Sequence, residues 1–115
     1  MAGNIDLYEL EVGPDHRWSP TDRYALRFTR SGNLEVWNNA ERRLLWQSGT
    51  AGRGAAKLAM QPDGNLVIYD HQRQALWNSG TGGNRGAVLS VQDDGNVVIY
   101  SSDRRPLWHT ATYED

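Results

Sequence analysis

A nine-residue motif that occurs twice at a fixed interval constrains this chain more than any other feature. Residues 61–69 read QPDGNLVIY, and residues 92–100, 31 positions further on, read QDDGNVVIY. A β-hairpin requires the turn residues and an apolar strand, and both copies contain them. A hairpin does not require Gln and Tyr at the same two offsets. The repeated polar residues therefore indicate a function as well as a fold.

Three tryptophans repeat at the same interval. Trp46, Trp77 and Trp108 are spaced by 31 residues, and each ends a short apolar segment. A degenerate copy of the motif, TRSGNLEVW at residues 29–37, precedes the first of them. Such self-similarity predicts three copies of one supersecondary unit. We expect repeats at about residues 24–46, 55–77 and 86–108 of a single domain, residues 1–115.

Each unit is predicted to be a three-stranded β-meander. In the middle unit, strands are expected at residues 57–61, 65–69 and 75–77, with a tight turn at residues 62–64. Gly64 supplies a left-handed conformation for that turn. No segment of ten or more residues shows helical periodicity, so the fold class is all-β. One such unit cannot bury its apolar face alone. Three units are therefore expected to pack around an axis, with the tryptophans at its centre.

Composition excludes several classes of protein. The net charge is −2 and the arginines are scattered, which argues against a nucleic-acid surface. Without cysteine the chain forms no disulfide. No apolar run is long enough for a transmembrane helix, so no membrane insertion is expected. The first residues show no signal peptide, which favours a cytoplasmic or non-classically released protein, although a trimmed mature chain would look the same.

The repeated motif places hydrogen-bonding groups of several kinds on one sheet face. The alternation of a strand predicts one carboxylate, two amides, a small apolar side chain and a phenol together. Sugars match this set, because their hydroxyls donate and accept while their ring carbons are apolar. A structural interpretation competes, because Asp and Asn often satisfy their own turn; repetition of the whole set favours function. The candidate binding residues are Gln61, Asp63, Asn65, Val67, Tyr69, Gln92, Asp94, Asn96, Val98 and Tyr100.

The spacing Gln-x-Asp-x-Asn-x-Val-x-Tyr resembles the carbohydrate-binding signature of the bulb-type lectins, also called monocot mannose-binding lectins. The resemblance covers residues 24–112 approximately. It implies a type II β-prism of three antiparallel sheets around a pseudo-threefold axis, with mannose or mannose-terminated glycans as ligands and no metal or other cofactor. It further implies that Asp63 and Asn65 bind the axial 2-hydroxyl, Gln61 the 3-hydroxyl and Tyr69 the 4-hydroxyl, with Val67 against the ring. The second copy takes the same roles.

The first copy departs from the signature and retains only its asparagine. The corresponding residues are Thr29, Ser31, Asn33, Glu35 and Trp37. Glu35 places a charge where a sugar ring needs an apolar surface, and an unpaired buried charge is costly. We expect this copy not to bind mannose. A site remodelled for another ligand, with Trp37 as a stacking platform, is the alternative.

The resemblance carries two further expectations. Plant relatives usually have one disulfide, and the matching positions in this chain are Gly32 and the neighbourhood of Ala56, neither of them cysteine. Relatives can also exchange their C-terminal strand to form a dimer. Residues 107–113 are the candidate segment for such a homodimer.

Other candidate sites are weaker. His16, His71 and His109 are far apart and are interpreted as solvated surface residues rather than metal ligands. The pair Asp93 and Asp94 does not repeat, whereas glycoside hydrolysis needs two carboxylates around one bond, so we predict no enzyme.

The remaining expectations concern the N-terminal region and the alternatives. Residues 5–12 are predicted to form a strand that pairs with the last sheet, and Trp18 lies outside the tryptophan series and packs locally. The alternative function is a protein-interaction or antibacterial module that keeps the fold. A β-trefoil has longer units, and a propeller blade needs about 40 residues.

Overall fold

The structure is a computed structural model that describes residues 3–114. Met1 and Ala2, the first residues of the segment in which no signal peptide is expected, lie outside the described residues, as does Asp115. The described chain is built from twelve β-strands joined by turns and linkers, with no helix. The strands are β1 (Ile5–Leu7), β2 (Leu10–Val12), β3 (His16–Trp18), β4 (Tyr24–Phe28), β5 (Leu34–Asn38), β6 (Arg43–Gln47), β7 (Ala55–Met60), β8 (Leu66–Asp70), β9 (Ala75–Asn78), β10 (Val88–Val91), β11 (Val97–Tyr100) and β12 (Pro106–His109).

The strands form three antiparallel sheets of four. The first sheet has the order β3-β4-β5-β6, the middle sheet β2-β7-β8-β9 and the last sheet β1-β10-β11-β12. In each sheet the three later strands are consecutive in the chain and contain one copy of the repeat. The arrangement confirms the predicted all-β, β-prism architecture.

The N-terminal region supplies the fourth strand of every sheet. Residues 5–12 do not form one strand, and the prediction that they pair with the last sheet is correct only for β1, which pairs with β10. β2 pairs with β7 of the middle sheet, and β3 pairs with β4 of the first. The chain turns between sheets at Glu9 (φ 50°) and Asp15 (φ 74°), both in the left-handed region. Neither position carries a glycine that would have revealed the break.

The hairpins follow the turn chemistry of the motif. In the middle sheet the backbone N–H of Gly64 donates to the carbonyl of Gln61 at 2.9 Å, and that of Gln61 donates to the carbonyl of Asn65 at 2.9 Å. Gly64 has a φ of +92°, and a Cβ there would lie 2.2 Å from the carbonyl oxygen of Asn84. Glycine is therefore required both by the turn and by the close approach of the following linker.

The core lies between the sheets. Its largest buried side chains include Leu26, Phe28, Leu58, Ile68 and Ile99, which come from all three sheets. Burial of such side chains is worth about 25 cal/mol per Å² of apolar surface. Period-2 alternation on each strand directs these residues inward and the motif residues outward.

The three repeated tryptophans meet, as predicted. The ring centroids of Trp46, Trp77 and Trp108 are 5.6–5.7 Å apart, and each pair is edge-to-face. This is the geometry that aromatic pairs prefer. Trp18, which lies on β3, also packs against the core, so its contacts are not merely local.

The C-terminal segment closes the first sheet against the last. Glu114 accepts hydrogen bonds from Tyr24 (2.9 Å), Asn38 (2.9 Å) and Arg43 (2.6 Å), and its backbone N–H donates to the carbonyl of Asp94 (2.8 Å). The hydrogen bond from Arg43, followed by that from Tyr24, lowers the pKa of Glu114. β12 pairs with β11 of its own chain. Exchange of this strand with a second copy stays a prediction.

Gly32 lies against Ala55, close to the two positions at which the resemblance would place a disulfide. A Cβ on Gly32 would lie 2.6 Å from the Cβ of Ala55, next to the predicted neighbour Ala56. Close packing of glycine on alanine occupies this place in a chain that has no cysteine.

Candidate functional site

The middle copy of the motif forms a shallow polar surface on the outer face of its sheet. Gln61 donates from Nε2 to the hydroxyl of Tyr69. Asp63 is exposed in the turn, and its Oδ1 accepts the backbone N–H of Asn65 at 2.9 Å. Val67 lies on β8 between Asn65 and Tyr69 and is almost buried, at 3% exposed. The five predicted residues are therefore brought together.

The last copy reproduces this geometry. Gln92 donates from Nε2 to the hydroxyl of Tyr100 at 2.9 Å, and Asp94 Oδ1 accepts the backbone N–H of Asn96 at 2.9 Å. Val98 is again almost buried, at 4% exposed. The two copies thus share the same pairs of donors and acceptors in the same sheet positions.

The asparagine of the motif also has a structural role. In the middle copy, Asn65 Oδ1 accepts from the Ser79 hydroxyl and from the Thr81 backbone N–H, both at 3.1 Å. The Thr81 hydroxyl in turn donates to the Gly64 carbonyl at 2.6 Å. These hydrogen bonds attach the linker at residues 79–81 to the hairpin turn at residues 64–65, and we call this arrangement the asparagine lock.

The asparagine lock occurs in all three copies of the motif. The paired residues are Asn33 with Thr50, Asn65 with Thr81, and Asn96 with Thr112, with N–H to Oδ1 distances of 3.0, 3.1 and 3.2 Å. Retention of asparagine in the degenerate first copy is explained by this lock, because the lock does not depend on any ligand.

In the middle and last copies the residue after the central tryptophan adjoins the candidate site, which the sequence did not predict. Asn78 lies directly opposite Val67 across β8 and β9, and its Oδ1 is 3.5 Å from Nδ2 of Asn65. His109 lies opposite Val98, and its Nδ1 is 3.3 Å from Nδ2 of Asn96. An amide nitrogen only donates, so Nδ1 of His109 is the acceptor in this contact. His109 is exposed, as expected for a surface residue, and its contact with Asn96 also places it beside the candidate site.

The two complete copies differ in their surroundings. A cleft of about 340 Å³ adjoins the middle copy and is lined by Glu11, Lys57, Gln61, Tyr69 and Arg73. The Lys57 ammonium is 3.2 Å from the Glu11 carboxylate there. In the last sheet the position opposite the motif tyrosine is apolar Val88, and the guanidinium of Arg104 lies 5.2 Å from the ring centre of Tyr100. A ligand that extended beyond the shared motif would therefore meet different surfaces in the two copies.

The first copy is closed by its own side chains. Glu35 Oε2 accepts from Asn33 Nδ2 at 2.8 Å, and Oε1 accepts from Trp37 Nε1 at 2.7 Å. The hydroxyls of Thr29 and Ser31 bond to each other at 2.9 Å. Both oxygens of Glu35 are thus hydrogen-bonded, so the free-energy cost of an unpaired buried charge, which the sequence analysis anticipated, does not arise. The groups that would meet a sugar in this copy are satisfied internally.

Residues 3–114 contain neither a helix that could cross a membrane nor a cluster of potential metal ligands. No helix of these residues has the length and apolar character needed to cross a membrane. No group of three or more His, Asp or Glu side chains among them is placed to hold a metal ion.

Comparison with known proteins places the chain among lectins. No protein-family model and no curated protein matches the sequence. A lectin from Marasmius oreades is 32% identical, with a TM-score of 0.82 over 96% of this chain and 92% of its own. A monomeric monocot mannose-binding lectin from Gastrodia elata is also 32% identical, with a TM-score of 0.83 over 97% and 99%. The mannose-specific agglutinin of snowdrop (Galanthus nivalis) bulbs, complexed with methyl-α-D-mannoside, is 29% identical, with a TM-score of 0.75 over 98% and 99%.

These similarities extend over nearly the whole of both chains. They agree with the three four-stranded sheets and with the sequence resemblance found independently in the repeated motif. The chain therefore belongs to the family of bulb-type, or monocot mannose-binding, lectins.

Proposed function

We propose that this lectin binds mannose, or glycans ending in mannose, at two sites on the outer faces of the middle and last sheets. The observation that carries the proposal is the matched geometry of the two motif copies, in which a glutamine holds a tyrosine hydroxyl and an exposed aspartate caps an asparagine. The proposed sites are Gln61, Asp63, Asn65, Val67 and Tyr69, and Gln92, Asp94, Asn96, Val98 and Tyr100.

The contacts within each site leave groups available for sugar hydroxyls. Asp63 uses Oδ1 for the Asn65 N–H, so Oδ2 can accept from a hydroxyl. Tyr69 accepts from Gln61, so its own proton can be donated. The carboxylate makes the stronger, charge-assisted hydrogen bond of the set. We assign the aspartate and asparagine to the axial 2-hydroxyl, the glutamine to the 3-hydroxyl and the tyrosine to the 4-hydroxyl.

The binding is proposed to be non-catalytic. Each site contains one carboxylate, whereas glycoside hydrolysis requires two that flank the scissile bond. The motif supplies its own charge and amides, so neither a metal nor another cofactor is assigned to it. In this proposal the chain is one domain with repeats at about residues 24–46, 55–77 and 86–108, and the first repeat does not bind mannose.

The sites are shallow, which makes the binding of one sugar weak. Two sites per chain compensate, because linked sites can raise avidity by roughly 10²–10⁴ when the spacing of the target permits. Exchange of residues 107–113 between two copies would double the number of sites.

A charge-matched pair of double variants tests the proposal. Asp63→Asn/Asp94→Asn keeps an oxygen for the asparagine N–H and removes only the charge. Asp22→Asn/Glu41→Gln also removes two negative charges, from exposed carboxylates outside both motif copies. Isothermal titration calorimetry with methyl α-mannoside measures both. We expect the first pair of substitutions to weaken binding at least about tenfold, because hydrogen bonds to charged groups are the stronger ones, and the second pair to leave the affinity unchanged. Equal affinities for both pairs, or equal binding of a galactoside, would contradict the proposal.

A further inference from the structure

The first sheet differs from the other two in the charge of its outer face. In each sheet, one row of residues in register across the four strands contains the motif position occupied by Glu35, Val67 or Val98. The rows are Arg17–Arg27–Glu35–Gln47 in the first sheet, Glu11–Ala59–Val67–Asn78 in the middle sheet and Asp6–Ser90–Val98–His109 in the last. The first two places of the row are thus an acidic and a small residue in the middle and last sheets, and two arginines in the first sheet.

The two arginines are not neutralised by the protein. Arg17 and Arg27 are directly opposite each other on β3 and β4, an arrangement in which like charges repel. Within residues 3–114 neither forms an ion pair with a carboxylate. Arg17 donates to the Ser19 hydroxyl at 3.3 Å. Glu35, the nearest carboxylate in the row, already accepts one hydrogen bond on each oxygen.

The aromatic ring of the degenerate motif holds one of these arginines in place. The guanidinium of Arg27 lies 5.8 Å from the ring centre of Trp37. Trp37 stands where the mannose sites have tyrosine, and its indole N–H is bound to Glu35 at 2.7 Å. The substituted residues of the first copy therefore position the Arg27 guanidinium at the surface of the first sheet.

A cleft of about 320 Å³ lies beside these arginines. It is lined by Asp15, His16, Arg17, Arg27, Phe28, Thr29 and Arg30, and we name it the arginine cleft. Its third guanidinium, Arg30, is 3.5 Å from Asp15, but both side chains are mostly exposed (90% and 71%), so the pair is weak. The lining thus contains three arginines and one carboxylate. The volume is at the lower end of the range found for small-ligand sites.

We propose that the arginine cleft binds an anionic group, a sulfate or a carboxylate, carried by a saccharide. The guanidinium fork pairs with the oxygens of such groups in a bidentate manner, and an anion between Arg17 and Arg27 would relieve their repulsion. The first repeat is then a third site with a different ligand, rather than a mannose site that has only been lost. This site does not depend on the mannose sites.

The test is a titration of the full chain with four ligands at low ionic strength. The ligands are a sulfated disaccharide, a glucuronate-containing disaccharide, the neutral form of the same disaccharide, and methyl α-mannoside. We expect binding of at least one acidic disaccharide and weaker binding at high salt, because exposed charges are screened. The acidic ligand that binds identifies the group. No binding of either acidic ligand, or equal binding of the neutral form, would overturn the proposal.

Matched variants separate the cleft from general surface charge. Arg17→Gln/Arg27→Gln changes the cleft, and Arg53→Gln/Arg85→Gln makes the same charge change at exposed linker positions. We expect an affinity loss of at least about tenfold for the acidic disaccharide in the first pair and an unchanged affinity in the second. An equal loss in both pairs would overturn the proposal. Thermal unfolding verifies that both variants are folded, and an unchanged mannoside titration shows that the effect is confined to the cleft.

Discussion

Replacement of Asn33 by alanine tests the structural role assigned to the motif asparagine. Asn33 is 2% exposed and belongs to the first copy, for which we propose no mannose binding. Its Oδ1 accepts from the Thr50 N–H at 3.0 Å and the Ser48 hydroxyl at 3.2 Å, and its Nδ2 donates to Glu35 at 2.8 Å and Gln47 at 2.9 Å. The substitution removes all four bonds at once.

The cost follows from what remains after the substitution. The Thr50 N–H is fully buried, and a stranded buried donor costs about 1–3 kcal/mol. The loss of the hydrogen bond to the Glu35 carboxylate adds less, because that side chain is only partly buried. We expect Asn33→Ala to lower the free energy of unfolding by about 2–4 kcal/mol, or Tm by roughly 10 °C for a chain of this size.

Urea denaturation followed by tryptophan fluorescence measures this difference. Ser31→Ala is the matched control, since Ser31 is exposed and its hydroxyl contacts only that of Thr29. Substitutions of this kind stay within about 0.5 kcal/mol. Mannoside binding should be unchanged in both variants. A loss below about 0.5 kcal/mol for Asn33→Ala would refute the assignment, because the asparagine would then not hold the linker.

Three further outcomes follow from the core, a turn and the C-terminal segment. Trp77→Ala should lower the free energy of unfolding by about 3 kcal/mol, because it removes partly buried surface and two edge-to-face pairs. Gly64→Ala should prevent or severely weaken folding, because its Cβ would lie 2.2 Å from the Asn84 carbonyl, whereas Gly80→Ala, with φ +72° and open space, should cost only about 1 kcal/mol. The arginine on β6 lowers the pKa of Glu114, so the stability this group contributes is present above its ordinary pKa of 4.5 and is lost as the pH falls through the lower value in the folded state. Glu114→Gln should therefore flatten the acid side of the stability profile.

Chemical denaturation measures each of these outcomes, at several pH values for Glu114. Equal stability of the Gly64 and Gly80 variants would contradict the close approach of the linker. A Trp77 variant as stable as the parent would contradict the central packing. The free energies of unfolding of the parent and the Glu114→Gln protein should differ in their dependence on pH on the acid side of the profile. Parallel profiles there would contradict the role assigned to the Glu114 side chain.

The sequence predicted the elements that repeat, because repetition makes a local pattern visible several times. The hairpin of residues 61–69 and the meeting of the three tryptophans are of this kind. The division of the N-terminal region among three sheets was not predicted. Its strands are only three residues each, and the turn at Glu9 uses a left-handed non-glycine residue. Strands this short take their position from the sheet that receives them, not from their own sequence.

The candidate sites were only partly predictable for a related reason. Gln61, Asp63 and Tyr69 lie within one hairpin, so their proximity follows from sequence spacing alone. Asn78 and His109 reach the sites only through the register of a third strand, which shifts at Ile68/Tyr69 and at Ile99/Tyr100. Sequence alone does not reveal such a shift. The arginine cleft depends in the same way on which N-terminal segment joins the first sheet.

The most direct test of the central claim is an NMR titration of the isotope-labelled chain with methyl α-mannoside, beside a galactoside. The account predicts saturable shifts for backbone amides at residues 61–69 and 92–100 with the mannoside alone, and unchanged amides at residues 29–37. An absence of shifts at high mannoside concentration, or the same shifts with the galactoside, would contradict mannose recognition. The conserved geometry of the two copies would then be structural, and the chain would be better explained as a protein-interaction module on a lectin fold.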